Sequence, residues 1–357
     1  MNFTDNTIPT SIDSTEEAAS ASAAEHPKAT QATQLKLRAA VLGDLDERLR
    51  LLPAHPLNQR PVKILTQSVR DTFLEVCEAL VYKRPGYCFT ADYRVGKSTA
   101  LLMIKEKLPQ SLPQVAVGLV SAQDHERVTE RVLWGDILTA FKLITTGTAQ
   151  DRQKRLRSAI IGACVQAGGN QFALLIDESQ NYKEREFTCL RDLANQLRDE
   201  DGYTLTTVCL GDPRLSELSR AFRKTRKDLW ARFLMKPERF YGIRDLTDLR
   251  FFLAEHDNTK RCEYPAGSGI SYTEFFLPKA YANGWRLEKE AQNLWDAFAR
   301  AAGTANREVT EIGMQWVGES VIRFLTLAIS KDFSEFRAEP SLWDDAVQLS
   351  CFTDTLI

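Results

Sequence analysis

Histidine is scarce in this 357-residue sequence, and no two of its seven cysteines share the CxxC spacing of a metal knuckle or redox pair. A zinc site is therefore not expected. Cysteines set inside apolar runs such as VCEAL and TVCLG read as reduced, buried thiols of a cytosolic chain, not as a disulfide framework. No apolar run approaches the roughly 20 residues that cross a bilayer. The opening MNFTDNTIPTSIDSTEE has neither the basic start nor the apolar centre of a secretory signal. A net charge of -2 gives no global attraction for nucleic acid, so any such contact has to come from a local basic surface. The expectation is a soluble, cytoplasmic chain with no membrane partner.

What is present is apolar content, 43%, enough for one large α/β domain and a smaller one. Residues 1–33, rich in Ala, Ser and Thr, are too polar to offset the cost of ordering and read as a flexible tail. Helical periodicity starts near Leu35 and stops at Pro53, and a linker follows, so 34–58 is taken as an N-terminal helix and linker. From residue 59 to 245 short apolar runs alternate with helical patterns. The expected strands are Tyr87–Thr90, Val115–Ser121, Phe172–Ile176, Leu205–Leu210 and Arg239–Ile243. Strands separated by helices imply parallel crossovers, with helices on both faces of the sheet. From 246 to 357 the pattern is helical, with an aromatic-rich insert at 263–285 that is either lid core or a partner surface.

After the first strand comes ADYRVGKST, a match to [AG]-x4-G-K-[ST]. Such a loop curls backbone N–H groups around a β-phosphate. It needs Gly where a Cβ would collide, Lys to neutralise β and γ oxygens, and a hydroxyl for Mg²⁺. Gly96, Lys97 and Ser98 fit these parts. Ala91, Asp92, Tyr93, Arg94, Val95 and Thr99 complete the expected lining for ATP. The alternative is an ordinary loop that happens to contain GKS.

After the third strand, FALLIDES delivers Asp177 and Glu178 at the strand's C-terminal end. Asp177 is expected to join Ser98 in holding Mg²⁺, and Glu178 to orient and deprotonate the attacking water. The fourth strand ends in LGDPRL. Asp212 is a candidate γ-phosphate sensor there, with Thr207 a weaker one. The competing reading of Asp212 is a cap for the following helix. Arg232, in DLWARFLM, is a candidate arginine finger reaching a neighbouring subunit's phosphate, or else a surface arginine beside a buried Phe.

Between Pro213 and Asp245 ten Lys/Arg stand against four Asp/Glu, and RQKRLR (152–157) forms a second basic cluster. Such runs track phosphates in some proteins and are solvated helix faces or interface charge in others. Arg127 and Arg131, soon after the second strand, are candidate DNA contacts.

In this order, ADYRVGKST, LLIDESQNY, CLGDPRL and ARF resemble the TniB/TnsC-like AAA+ ATPases of transposition over roughly residues 59–258. The resemblance implies a five-stranded AAA+ P-loop core with a smaller C-terminal helical lid. It carries the ATP residues onto Lys97, Ser98, Asp177 and Glu178, and the RF arginine onto Arg232. Asp212 departs from the Thr usual at its place. No Gly-Arg second sensor stands out, with Arg307 and Arg323 the available arginines. The family's role implies an ATP-bound homo-oligomer, ring or filament, on duplex DNA. Transposase and target-selector proteins would be its partners, and hydrolysis would disassemble it. A loader or motor ATPase of replication or defence, and a non-hydrolysing ATP-switched scaffold, are the alternatives.

Overall fold

A computed structural model describes residues 31–355. The segment read as a flexible tail lies outside these residues, except that 31–33 open the first helix. In chain order the elements are α1 (Gln31–Gly43), α2 (Leu45–Leu51), α3 (Gln67–Val81), β1 (Gly86–Thr90), α4 (Lys97–Ser111), β2 (Val115–Ser121), α5 (Glu130–Ala140), α6 (Ala149–Gln166), β3 (Gln171–Asp177), α7 (Glu184–Asp199), β4 (Thr204–Gly211), α8 (Arg214–Thr225), α9 (Lys227–Leu229) and β5 (Glu238–Arg239). Then follow α10 (Leu246–Glu255), α11 (Tyr272–Phe276), α12 (Pro278–Ala282), α13 (Ala291–Gly303), α14 (Met314–Ala328) and α15 (Pro340–Leu349). A five-residue π-helix, Trp230–Leu234, continues α9.

The chain forms two compact units: 69–93 with 97–240, and, of the described residues, 31–68 with 94–96 and 241–355. The first is a five-stranded parallel sheet in the order β2-β3-β4-β1-β5. Every residue of β3 is buried, because helices cover both faces and leave its apolar run no solvated side. The apolar stripe of α7, Phe187, Leu190, Leu193 and Leu197, recurs every three or four residues and is buried throughout. Each such side chain stabilises by about 1.5–3 kcal/mol on leaving water. Local signals set the helix starts. Thr148 and Asp151 form a reciprocal capping box on α6. Thr129 accepts from Val132 N–H and starts α5 at Glu130.

The second unit is helical. Its core stacks Phe324 on Trp343 with ring centroids 3.7 Å apart. The aromatic insert is core here: Tyr264, Tyr272, Phe275 and Phe276 surround His55 at 4.7–5.0 Å. The buried Arg48 of α2 donates to the Phe275 and Phe276 carbonyls at 3.2 and 2.9 Å. The N-terminal helices therefore build the C-terminal core. In this unit Gln315 N–H donates to the Arg94 carbonyl at 3.2 Å. Arg323 pairs with Glu319 one helical turn away, and Arg307 is exposed. All seven cysteines are free and only Cys351 is exposed. No helix among the described residues is long and apolar enough to cross a membrane.

Burial drives His55 down to about 3, helped by the nearby His256, and His256 itself down to about 4. The buried His55 Nε2 has no hydrogen-bond partner among the described residues to receive a proton. Below the ordinary 6.5 the unfolded chain takes up two protons that the folded chain refuses, so stability falls as pH falls. Asp257 acts in the opposite sense, since burial raises it to about 6 and the folded chain holds that proton first. These three groups together leave about one proton of difference, about 1.4 kcal/mol per pH unit. Urea unfolding between about pH 6.5 and 5 should show this slope, and His55→Gln should nearly abolish it. An unchanged slope in the variant would exclude His55 as its source.

Candidate nucleotide site

Strand order decides what can meet. β4 lies between β1 and β3, with Thr90 opposite Gly211 and Ile176 opposite Cys209. Parallel strands present all their C-terminal ends at one edge. The loop after β1, the acids after β3 and Asp212 after β4 are thus gathered there. Ala91 N–H donates to the Gly211 carbonyl at 2.9 Å and Ala122 N–H to the Asp177 carbonyl at 2.8 Å, which ties these ends together.

Lys97 is the first residue of α4 and only 7% exposed. Its ammonium donates to the Asp92 carbonyl at 3.0 Å and the Ala91 carbonyl at 3.4 Å. It also lies 5.5 Å from the Tyr93 ring centre. No carboxylate pairs with it among the described residues. Its direct contacts are carbonyl dipoles and Asp177 attracts it only through space, so a phosphate would complete its environment. Gly96, at φ +98°, occupies a conformation that a side chain strains, and Val95 before it is buried. Asp92 turns outward to pair with Arg239 at 3.0 Å. Tyr93 and Arg94 are exposed, and Thr99 is half-buried in the first turn of α4.

The Ser98 hydroxyl lies close enough to the Asp177 carboxylate to favour its ionised form. Burial pushes that carboxyl up, while the Ser98 hydroxyl holds it back. A hydroxyl and a carboxylate close together at the helix start are the two protein oxygens that a nucleotide-bound Mg²⁺ uses, the rest of its shell coming from phosphate and water. No group of three or more His, Cys, Asp or Glu that could hold a metal occurs among the described residues. Glu178 follows at φ +51°, a left-handed position that costs a non-glycine residue about 1 kcal/mol. Its side chain accepts from Gln180 Nε2 at 2.5 Å.

Asp212 is 1% exposed. Its carboxylate accepts from Arg214 N–H at 2.9 Å, from Arg214 Nη2 at 2.7 Å and from Tyr93 Oη at 3.4 Å. Burial opposes ionisation, but the Arg214 contacts and Tyr93 outweigh it and hold the carboxyl below its usual range. The acid is thus neutralised by an arginine two residues on, while also capping the first turn of α8. Thr207 is not in the site. It lies midway along β4, opposite Gly86 at the start of β1, and its hydroxyl donates to the Pro85 carbonyl at 3.4 Å.

Arg232 is not gathered either. The π-helix carries it to the start of β1, where its carbonyl lies against Gly86. Its guanidinium donates to Asn195 Oδ1 of α7 at 2.9 Å. Burial, with Arg198 and Arg191 nearby, lowers its proton affinity. A strand at about 3.3 Å per residue separates it from the phosphate loop of its own chain. Arg127 is exposed in the loop between β2 and α5, and Arg131 is exposed in the first turn of α5. Much of the basic character elsewhere is consumed locally. Arg152 donates to the Arg131 carbonyl, Arg155 to those of Ile144 and Thr146, and Arg157 pairs with Glu200 and Asp201. Arg226 pairs with Asp228 and Glu184. Sequence reasoning missed Gln180, Arg214 and Asn195, whose importance appears only once β3, β4 and α7 are placed together.

The AAA-domain family profile matches residues 83–218. The chain carries an AAA domain. Its fold is the AAA+ P-loop fold. An Aeropyrum pernix ORC2 protein, solved as ADPNP–ADP complexes, superposes with a TM-score of 0.50 at 9% identity, over 82% of this chain and 71% of that one. A Drosophila ORC structure bound to DNA gives 0.44 at 13% identity, covering 93% and 70%. A Pif1 helicase of Candida albicans gives 0.32 at 17%, covering 61% and 48%. Among curated protein sequences none matches.

If phosphate completes the Lys97 environment, Lys97→Ala should weaken Mg-ATP binding by at least about 100-fold, equivalent to roughly 2.7 kcal/mol. Removing an uncompensated buried cation should leave the melting temperature unchanged or raised. Calorimetric titration with Mg-ATP and a thermal melt test both halves. Tight binding by the variant would remove the phosphate role.

Proposed function

We propose that this chain is a Mg-ATP-hydrolysing AAA+ ATPase that assembles on duplex DNA and regulates a transposase. The observation that carries the ATPase reading is the gathering of Lys97, Ser98, Asp177 and Glu178 at one sheet edge, with the lysine lacking a carboxylate partner. Residues 91–99 would wrap the phosphates, and Ser98 and Asp177 would hold Mg²⁺. The metal would supply charge neutralisation of the phosphate oxygens. Glu178 then accepts a proton from the attacking water, whose oxygen bonds to the γ-phosphorus as the bond to the β–γ bridging oxygen breaks.

Arg232 serves a neighbouring subunit in this reading, because its own chain places it at the far end of β1. Asp212 acts through Arg214, which is free to turn from its carboxylate to a γ-phosphate. Arg127 and Arg131, exposed near the active edge, are the proposed DNA contacts. The transposition role itself, with transposase and target-selector partners, is supported by the sequence resemblance to TniB/TnsC-like ATPases. A second reading is an initiator-type loader, supported by the shared fold with the nucleotide-bound ORC2 protein.

The deciding experiment is electron microscopy of the protein with duplex DNA, in a slowly hydrolysed ATP analogue and in ADP. Ordered oligomers on DNA with the analogue alone are expected, with affinity falling steeply as salt rises. Monomers indifferent to DNA in both states would overturn the assembly reading and favour the loader. Glu178→Gln should lower turnover by about 10²–10⁴-fold and keep oligomers on DNA in plain ATP. Arg232→Ala should cut turnover about 100-fold while leaving nucleotide affinity of the monomer unchanged. Normal hydrolysis by either variant would remove that residue from its role.

A further inference from the structure

Three residues after Glu178 form one 3₁₀ turn, Ser179–Asn181, and each spends its side chain on a different strand. The Ser179 hydroxyl donates to the Ile176 carbonyl of β3 at 2.7 Å. Asn181 Nδ2 donates to the Ala122 carbonyl just past β2 at 3.0 Å. Gln180 reaches the other way. Its Oε1 accepts from the Asp212 backbone N–H at 3.0 Å, and its Nε2 donates to Glu178 Oε2 at 2.5 Å.

The orientation of this carboxamide is fixed by chemistry. A backbone N–H only donates and an ionised carboxylate only accepts, so the reversed amide would lose both bonds. The backbone makes room for it: a Cβ on Gly211 would lie 2.5 Å from Gln180 Oε1 and 2.9 Å from a Leu215 methyl. Glu178 stands in the left-handed region, where it persists because the turn after it is anchored to three strands. One oxygen of Glu178 is thereby committed to Gln180, and the other is left for water.

We infer that Gln180 is a positioning residue that holds the Glu178 carboxylate and couples it to the end of β4. This rests on Glu178 being the group that orients the attacking water. The same bridge gives the γ-phosphate end of the site a route to Glu178. Asp212 carries the Arg214 and Tyr93 contacts on its side chain and the Gln180 contact on its backbone. A shift of Asp212 as Arg214 changes partner moves the anchor of the carboxamide that holds Glu178.

The test is steady-state hydrolysis of Mg-ATP by the full chain with duplex DNA, alongside binding of a slowly hydrolysed analogue. Gln180→Met keeps the length and removes both bonds. Gln180→Glu keeps an acceptor for Asp212 N–H but cannot donate to Glu178 when ionised. Both should lower kcat at least 10-fold, with KM and analogue affinity within about 2-fold. Gly211→Ala, which displaces the carboxamide, should lower kcat in the same way. If Gln180 served only to satisfy the Asp212 N–H, Gln180→Glu would turn over like wild type while Gln180→Met would not, and that split overturns the proposal. Wild-type kcat in both variants overturns it as well and leaves the ATPase reading intact. No hydrolysis by the wild-type chain overturns both.

Discussion

The placement of β4 between β1 and β3 is the constraint on which the rest of the site depends. Pairing Thr90 with Gly211 and Ile176 with Cys209 puts the exits of three strands side by side. Each exit then carries one kind of chemistry: a backbone loop with a cation from β1, two carboxylates from β3, and an acid–arginine pair from β4. The sheet holds because β3 is apolar along its length and covered on both faces, so a slip in register would move Asp177 into the core. Backbone bonds at the edge, from Ala91 to Gly211 and from Ala122 to Asp177, finish what the register begins.

The charges at that edge form an unequal set. Asp212 is balanced by Arg214, and Asp92 by Arg239. Asp177 is buried, raised by that burial, with a neutral hydroxyl close by. Lys97 is buried and held only by carbonyls. The groups already satisfied lie around the site, and those left short of a partner are the ones a phosphate and a divalent cation would complete. A structural ion-pair network would have paired Lys97 with Asp177 directly. The two attract each other through space without a direct ion pair, which leaves both ready for ligand.

What could be read from sequence follows the range of the interaction concerned. The GKS turn and the apolar run before Asp177 are local, and so the parallel sheet, its first four strands and the two motifs were legible in order, whereas the fifth strand, expected at Arg239–Ile243, is the two-residue Glu238–Arg239. Helix starts were less so. The amphipathic pattern of α5 extends back to Arg127, but Thr129 caps the helix and starts it at Glu130. Gln180 was invisible, since a glutamine after DES has no meaning until β4 is known to lie beside β3. Thr207 looked like a sensor because counting along a strand does not say which end a side chain serves. The sequence shows an N-terminal helix and linker at 34–58 but not what they pack on. Arg48 supplies the answer, since its buried guanidinium donates to the Phe275 and Phe276 carbonyls more than two hundred residues away. Composition overstated the basic surface, because arginines such as Arg157 and Arg226 are committed to nearby acids.

Arg232 shows how an apparent misfit constrains function. Its guanidinium is half-buried beside Asn195, among Arg191 and Arg198, at the end of β1 opposite the phosphate loop. Like charges held close are unfavourable unless an anion is supplied. The chain's own acids there are already engaged: Asp192 and Asp228 with Arg191, and Asp199 with Arg198. An arginine finger acting within one chain would have to cross the sheet, whereas one offered to a second copy needs no rearrangement. A single hydrogen bond to a neutral carboxamide holds the side chain in place without neutralising it, which suits a cation meant for a phosphate on another subunit. If Arg232 completes a neighbouring copy's site, as proposed, turnover should rise with protein concentration.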